Sequence, residues 1–184
     1  MSDGVYRAET ATTAISTATI TRNNPIEDIE THLPLRVLRY ELREDVAGAG
    51  KWRGGLGSVR EFTFLSDGGA SVEGEGHRYR PWGFLGGSEG MPAKLDLLAG
   101  GTTRALPSKV PHMNIAKDGR FVCYGPAGGG YGNPLERDPA KVADDVLDEV
   151  ISVETAKRDY GVVVSAKGVV DQAATEKART DRVP

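Results

Sequence analysis

Pro81-Trp82-Gly83-Phe84-Leu85-Gly86-Gly87 opens, and Gly125-Pro126-Ala127-Gly128-Gly129-Gly130-Tyr131-Gly132 closes, the stretch that decides the fold. Between the two glycine-rich loops lie three apolar runs, at 94–98, 109–115 and 120–124. Each is of strand length and bounded by Gly, Pro or Asp, so the segment reads as a β-rich core joined by loops. The second loop holds more glycine than a turn requires, because a tight hairpin needs positive φ at only one or two positions. Two readings follow: a close crossing of loop over sheet, or a backbone cradle for a ligand. Gly125, Gly128, Gly129, Gly130, Tyr131 and Gly132, with Trp82 from the first loop, are therefore candidates for an interface or a substrate loop.

Working outward toward the N-terminus, 70–79 reads as a strand that brings Glu73, Glu75, His77, Arg78 and Arg80 into one short span. Glu75 and His77, two residues apart, would share a strand face and have the chemistry of an acid/base pair or of two metal ligands. Charged strand edges more often pair with one another or with a subunit, and His32 and His112 lie too far off in sequence to complete a ligand set. His77 and Arg78 are kept as interface or substrate-loop candidates. The run 58–65 alternates, with Val59, Phe62 and Phe64 as core residues. Ahead of it, Gly-Ala-Gly-Lys-Trp-Arg-Gly-Gly-Leu-Gly (48–57) looks like a phosphate-binding loop but lacks the Gly-Lys-Ser/Thr ending and a following helix. Residues 35–42 carry apolar side chains at both parities, which predicts a strand covered on both sides. The segment 25–30 reads as a short helical turn, and 1–24, rich in Ala and Thr with a β-branched run, as an extended arm that orders only against another chain.

After the second glycine loop the period changes. Asp138-Pro139 forms a cap and first-turn proline, and Val142, Val146 and Val150 recur at four-residue spacing, predicting a helix over 139–150. Ser152 caps a second helix that Gly161 ends, and 162–164 reads as a short final strand. From Lys167 the chain is charged with few apolar anchors, which predicts a partly disordered or partner-docked tail. The expected fold is α+β, mainly β. It is a single antiparallel sandwich-like or barrel-like domain over 23–165, with two short C-terminal helices and extended arms at 1–22 and 166–184.

A chain of 184 residues suffices for one domain with a real core, and a net charge of −3 without a basic cluster points away from nucleic acid. Apolar runs are too short to span a membrane, and the first residues lack the apolar core of a secretory signal. The lone Cys123 cannot form an internal disulfide, which leaves the cytoplasm as the default compartment. Cys123 lies between Val122 and Tyr124 on an apolar run with no histidine nearby in sequence, and reads as a structural thiol.

The ordered strings Asn-Pro-Ile-Glu (24–27), Pro-Leu-Arg-Val (34–37), Tyr-Glu-Leu-Arg (40–43), the 48–57 loop, Pro-Trp-Gly (81–83), Leu-Pro-Ser-Lys-Val (106–110) and Gly-Gly-Gly-Tyr-Gly-Asn-Pro-Leu-Glu-Arg-Asp-Pro (128–139) resemble one family. They are similar to the carboxy-terminal part of hydantoinase B/oxoprolinase proteins, over about 23–165. The resemblance implies work beside an ATP-binding hydantoinase A-type subunit that phosphorylates a substrate. The group includes N-methylhydantoinases, oxoprolinases, caprolactamase, and acetone and acetophenone carboxylases. It implies a small subunit, inactive alone, that completes a large hydantoinase B-type subunit in ketone carboxylation or cyclic amide hydrolysis. The alternative is a non-catalytic assembly module of the same complex. ATP and a divalent metal are expected in the partner subunits, because the family's metal-binding His and Asp residues belong to an amino-terminal portion without counterpart here. No catalytic residue or metal ligand is therefore expected in this chain. Where the family commonly has an Asp-Arg pair before Pro-Trp-Gly, this chain reads Gly-Glu-Gly-His-Arg-Tyr-Arg.

Overall fold

The computed structural model describes residues 25–182, and the expected N-terminal arm lies outside the described residues. The described chain opens with helix α1 (Ile26–His32) and runs through strands β1 (Leu35–Leu42), β2 (Ser58–Phe64) and β3 (Gly68–Glu73). Strands β4 (Lys94–Ala99), β5 (Thr102–Leu106), β6 (Lys109–Ile115) and β7 (Arg120–Tyr124) follow. After a single 3-10 turn at Pro134–Glu136, helices α2 (Pro139–Leu147), α3 (Val153–Tyr160) and α4 (Gln172–Thr180) complete it.

Five strands form one antiparallel sheet in the order β1-β2-β7-β4-β5, and β3 pairs with β6 in a separate two-stranded ribbon. Side chains alternate across a strand, so register decides which of them share a face. Phe62 sits opposite Phe121, Arg60 opposite Cys123, and Leu95 and Leu97 of β4 opposite Cys123 and Phe121. The apolar members of this face meet the ribbon in a core of Phe64, Leu95, Leu97, Ile115 and Phe121, with Ala70, Val72 and Met113 packed against it. The result is an open, unequal sandwich and not a closed barrel. The mainly β, antiparallel α+β class expected from the sequence is the one observed.

A second core is helical: Val142, Ala143, Val146, Val150, Ile151, Ala156, Tyr160, Val162 and Val164 pack with Ala49. The caps that sequence predicts are made. Asp138 accepts from the Ala140 amide at 2.9 Å, Ser152 Oγ from the Thr155 amide at 3.1 Å, and Gly161 closes α3 with φ +62°. Burial pushes the Tyr160 phenol up to about 12, keeping it neutral inside this core.

Beneath the helices lies a buried ion cluster. Asp145 accepts from Arg53 Nε at 2.9 Å and from an Arg137 Nη at 2.8 Å, with Arg137 3% and Asp145 6% exposed. Arg137 also donates to the Lys51 carbonyl at 3.3 Å, so the cluster bolts α2 to the 48–57 loop.

The structure corrects several local expectations. Helix α2 stops at Leu147, because the Val150 and Ile151 amides both turn back to the Asp145 carbonyl, with Glu149 at φ +55°. Val150 is buried all the same. Strand β1 is a bulged edge strand, not one covered on both sides, and Leu38, Tyr40 and Leu42 are exposed. Residues 162–164 form only a bridge, Val164 to Val170. The charged tail is a third C-terminal helix. Asp171 caps α4, Thr175 Oγ1 accepts from the Val163 amide, and Arg179 donates to the carbonyls of Tyr160 and Arg137. Hydrogen bonds dock this helix where apolar anchors are few. Among the described residues no helix is long and apolar enough to cross a membrane.

Candidate functional site

Three glycine-rich segments, 48–57, 81–90 and 125–132, meet as backbone on backbone. The 125–132 loop lies in the middle. Gly128 donates to the Gly55 carbonyl at 2.8 Å and its own carbonyl accepts from Gly48 at 2.9 Å. Tyr131 exchanges amide and carbonyl bonds with Trp52 at 2.9 and 3.0 Å. On its other side, Gly130 donates to Ser88 and accepts from Phe84, both at 2.9 Å, and Gly132 donates to Phe84 at 2.9 Å. Gly125 continues the strand ladder by donating to Ser58 at 2.7 Å.

This geometry explains the glycine content. Within the loop only Gly132 has positive φ, at +76°. At Gly129 the requirement is space: a Cβ there would fall within 3.0 Å of the carbonyl carbon and oxygen of Trp82 and of the Gly83 amide nitrogen. The same holds at Gly130 against Gly48 and Ala49. Of the two readings that the sequence leaves open, close crossing of backbones describes what these glycines do inside the chain. The neighbours that forbid a side chain at Gly129 and Gly130 are this chain's own carbonyls, so replacing either glycine disturbs the fold directly.

Trp82, by contrast, turns its side chain outward. Tyr79, just ahead of the first loop, and Trp82, Phe84 and Leu85 on it are all exposed, with Trp82 79% accessible. Phe84 is tilted against Tyr131 with ring centroids 5.9 Å apart. Exposed aromatic side chains gathered on a rigid support are the surface type that interfaces bury.

His77 and Arg78 part company. Strand β3 ends at Glu73, so Glu75 and His77 lie beyond it and share no strand face. The Glu75 carboxylate reaches out to Lys109 at 3.5 Å, and what His77 Nδ1 meets is the Glu75 carbonyl, at 3.2 Å. The acid/base or metal pair considered from sequence is not formed. Arg78 lies over the Tyr79 ring, 5.3 Å from its centroid. His77 lines a cleft of about 430 Å³ with Gly125, Tyr40, Ser58, Arg60, Val72 and Cys123, and its Nε2 is buried without a hydrogen-bond partner among the described residues. Residues 128–132 are elsewhere, in the crossing.

Sequence reasoning missed Arg60. Its signal was an arginine on the strand face that otherwise carries Phe62 and Phe64. Arg60 donates to the Tyr40 hydroxyl at 2.9 Å and lies 4.3 Å from that ring's centroid. Among the described residues no three of His, Cys, Asp and Glu come together as a metal-binding group.

Cys123 is half-buried, and burial pushes its thiol pKa up against the opposing charge of Arg60. A raised pKa suits a structural thiol. Cys123→Ser is expected to change stability by less than about 1 kcal/mol, with alkylation of the native thiol slow near neutral pH. Thermal melts and iodoacetamide kinetics check this, and fast alkylation at pH 7 would contradict it.

The profile of the hydantoinase B/oxoprolinase family matches residues 6–134. The putative D-/L-hydantoinase B-type subunit of Pseudomonas sp. (strain NS671) is 50% identical over 161 residues, covering 86% of this chain and 27% of that protein. The crystal structure of the ATP-dependent caprolactamase from Pseudomonas jessenii superposes with a TM-score of 0.74 at 31% identity, over 85% of this chain and 28% of that one. Nucleotide-free acetone carboxylase shares the fold, with a TM-score of 0.67 at 23% identity over 86% of this chain and 26% of its own. The chain thus spans little more than a quarter of each of these three proteins.

Proposed function

We propose, from the premise that this chain belongs to the hydantoinase B/oxoprolinase family, that it is one part of a multisubunit ATP-dependent enzyme of the hydantoinase or carboxylase type. In this role it completes a larger hydantoinase B-type body as a small subunit, beside a hydantoinase A-type subunit that binds ATP and activates the substrate. The substrate class is a cyclic amide or a ketone. ATP and any divalent metal are held by the partners, and this chain shapes or seals the site without supplying a catalytic residue. The observation that carries the reading is 50% identity sustained over 86% of this chain against 27% of a hydantoinase B-type subunit. A soluble protein within the cell, with no nucleic acid or membrane partner, fits the same reading.

A second role, as a non-catalytic assembly module of such a complex, is favoured by the exposed Trp82, Phe84, Leu85 and Tyr79 on a support that is rigid backbone. The two roles share a test. Trp82→Ala is expected to weaken capture of the B-type and A-type subunits by about thirtyfold or more, the loss typical of an aromatic anchor, with the melting temperature unchanged. Titration of immobilised chain with the co-expressed subunits measures it. Unaltered affinity would remove this loop from the interface, and no binding by the native chain would defeat both roles.

A further inference from the structure

The sandwich is unequal, and the inequality has a definite place. Five strands lie in one sheet but only β3 and β6 cover it. The ribbon's β6 edge neighbours β5, where Val110, Pro111 and Met113 share a depression with Arg104 and Leu106. The β3 edge lies toward β1 and β2. Between them runs a groove of about 430 Å³ whose floor is Leu35, Phe62, Phe64, Phe121 and Cys123 and whose wall is β3 from Gly68 to Val72. At Val72 and Cys123 the groove passes into the cleft that holds Arg60 and His77.

Three features of this groove belong together. β3 pairs only with β6 among the described residues, so its other edge offers unpaired amides and carbonyls along the groove wall. The floor is apolar where β2 contributes Phe62 and Phe64, alternate residues about 7 Å apart along the strand, beside Leu35, Phe121 and Cys123. At the far end, Arg60 makes no ion pair among the described residues, and His77 Nε2 is buried without a partner. With Nδ1–H donating to the Glu75 carbonyl, Nε2 is left as an acceptor facing no donor. An unfilled strand edge, an apolar floor and, at one end, a buried His77 acceptor without a donor in the same cleft as an arginine without an ion pair describe the complement of an extended polypeptide.

We propose that the groove takes an extended segment of the larger hydantoinase B-type body, which adds to the free edge of β3 as a third ribbon strand. Main-chain bonds to β3 fix the segment, alternate apolar side chains press on Phe62, Phe64 and Cys123, and hydroxyl side chains at the cleft end accept from Arg60 and donate to His77 Nε2. The occupant is assigned to that body because nearly three quarters of the related B-type protein has no counterpart in this chain, which covers 27% of it. Leu33 and Pro34, at the rim of the groove, are also where the described chain enters the sheet. The inference rests on the proposed assembly and adds the surface and the mode of binding.

Cys123, the only cysteine, lies in the groove floor and reports on it. The full chain is co-expressed with the B-type hydantoinase protein of Pseudomonas sp. (strain NS671) from which the 161 residues aligned with this chain have been removed. Native mass spectrometry reads assembly. Iodoacetamide alkylation at raised pH and hydrogen exchange of amides 69–72 read the groove, in the free chain and in the complex. The expected result is a complex in which both rates fall about tenfold or more, the protection that new strand pairing brings. A complex with both rates unchanged, or with protection confined to 82–85, overturns the inference and leaves the assembly standing. Equal protection already present in the free chain overturns it too, because the chain then fills its own groove. Absence of any complex overturns the inference together with the assembly it rests on.

Discussion

Asp145→Ala is expected to cost about 3–5 kcal/mol, the loss that follows when one partner of a buried ion pair is removed and the other charge stays behind. Two guanidinium groups depend on this carboxylate, Arg53 through Oδ1 and Arg137 through Oδ2. Arg137 is 3% exposed and its Nε already lacks a partner among the described residues, so it has no route to water when Asp145 is cut back. The damage reaches two elements at once, because Asp145 belongs to α2 while Arg53 belongs to the 48–57 loop of the backbone crossing. A fall in melting temperature of roughly 6–20 °C corresponds to that loss in a chain of this size. Glu136→Ala is the control. It removes the exposed Lys51–Glu136 pair and should cost less than about 1 kcal/mol. Equal melting temperatures for the two variants would show that the buried cluster does not hold α2 to the loop.

Gly129→Ala adds one methyl group where there is no room for it. Because the obstructing atoms are the main chain of Trp82 and Gly83, neither rotamer change nor side-chain shift relieves the clash, and the 81–90 and 125–132 segments must move apart. The expected cost is about 3 kcal/mol, at the upper end of the range for overpacking, or roughly 6–12 °C in melting temperature. Gly100→Ala provides the comparison. At φ +57° with open space around it, that glycine should cost only about 1–2 kcal/mol of conformational strain. The sequence alone made 125–132 a candidate interface or substrate loop, and in that role glycine replacement would harm assembly before it harmed the fold. Circular dichroism melts of the two variants in the free chain decide between them, and a Gly129→Ala chain as stable as the native one would restore the interface account.

What was legible in the sequence follows from how local each signal is. Asp138-Pro139, Ser152 and Gly161 announce helix ends through their own backbone chemistry, and all three do so here. Strands β2, β4, β6 and β7 alternate or run apolar between turn residues and could be read directly. β5 could not, because Thr102, Thr103, Arg104 and Ala105 are exposed at an open sheet edge and leave no apolar pattern. β1 misled for the opposite reason. Its apolar residues at both parities suggested burial on both faces, yet several face solvent on a bulged edge. Helix α4 hid because its dock is made by Thr175 and Arg179 bonding backbone atoms, a contact that apolar periodicity does not register. The candidate site shows the same limit. Sequence picked out the glycines and His77, but the meeting of segments 48–57, 81–90 and 125–132, and the placing of Arg60 in one cleft with His77, are products of the long-range topology.

This chain is proposed to complete a hydantoinase B-type body within an ATP-dependent enzyme. The most direct test is ATP turnover by hydantoinase A-type and shortened B-type subunits, assayed on a cyclic amide and on a ketone, before and after the chain is added. The account predicts substrate-dependent ATP hydrolysis that is absent without the chain and appears as it is added, saturating when a stoichiometric complex has formed. Full substrate-dependent hydrolysis without the chain, unchanged when the chain is present, would contradict it.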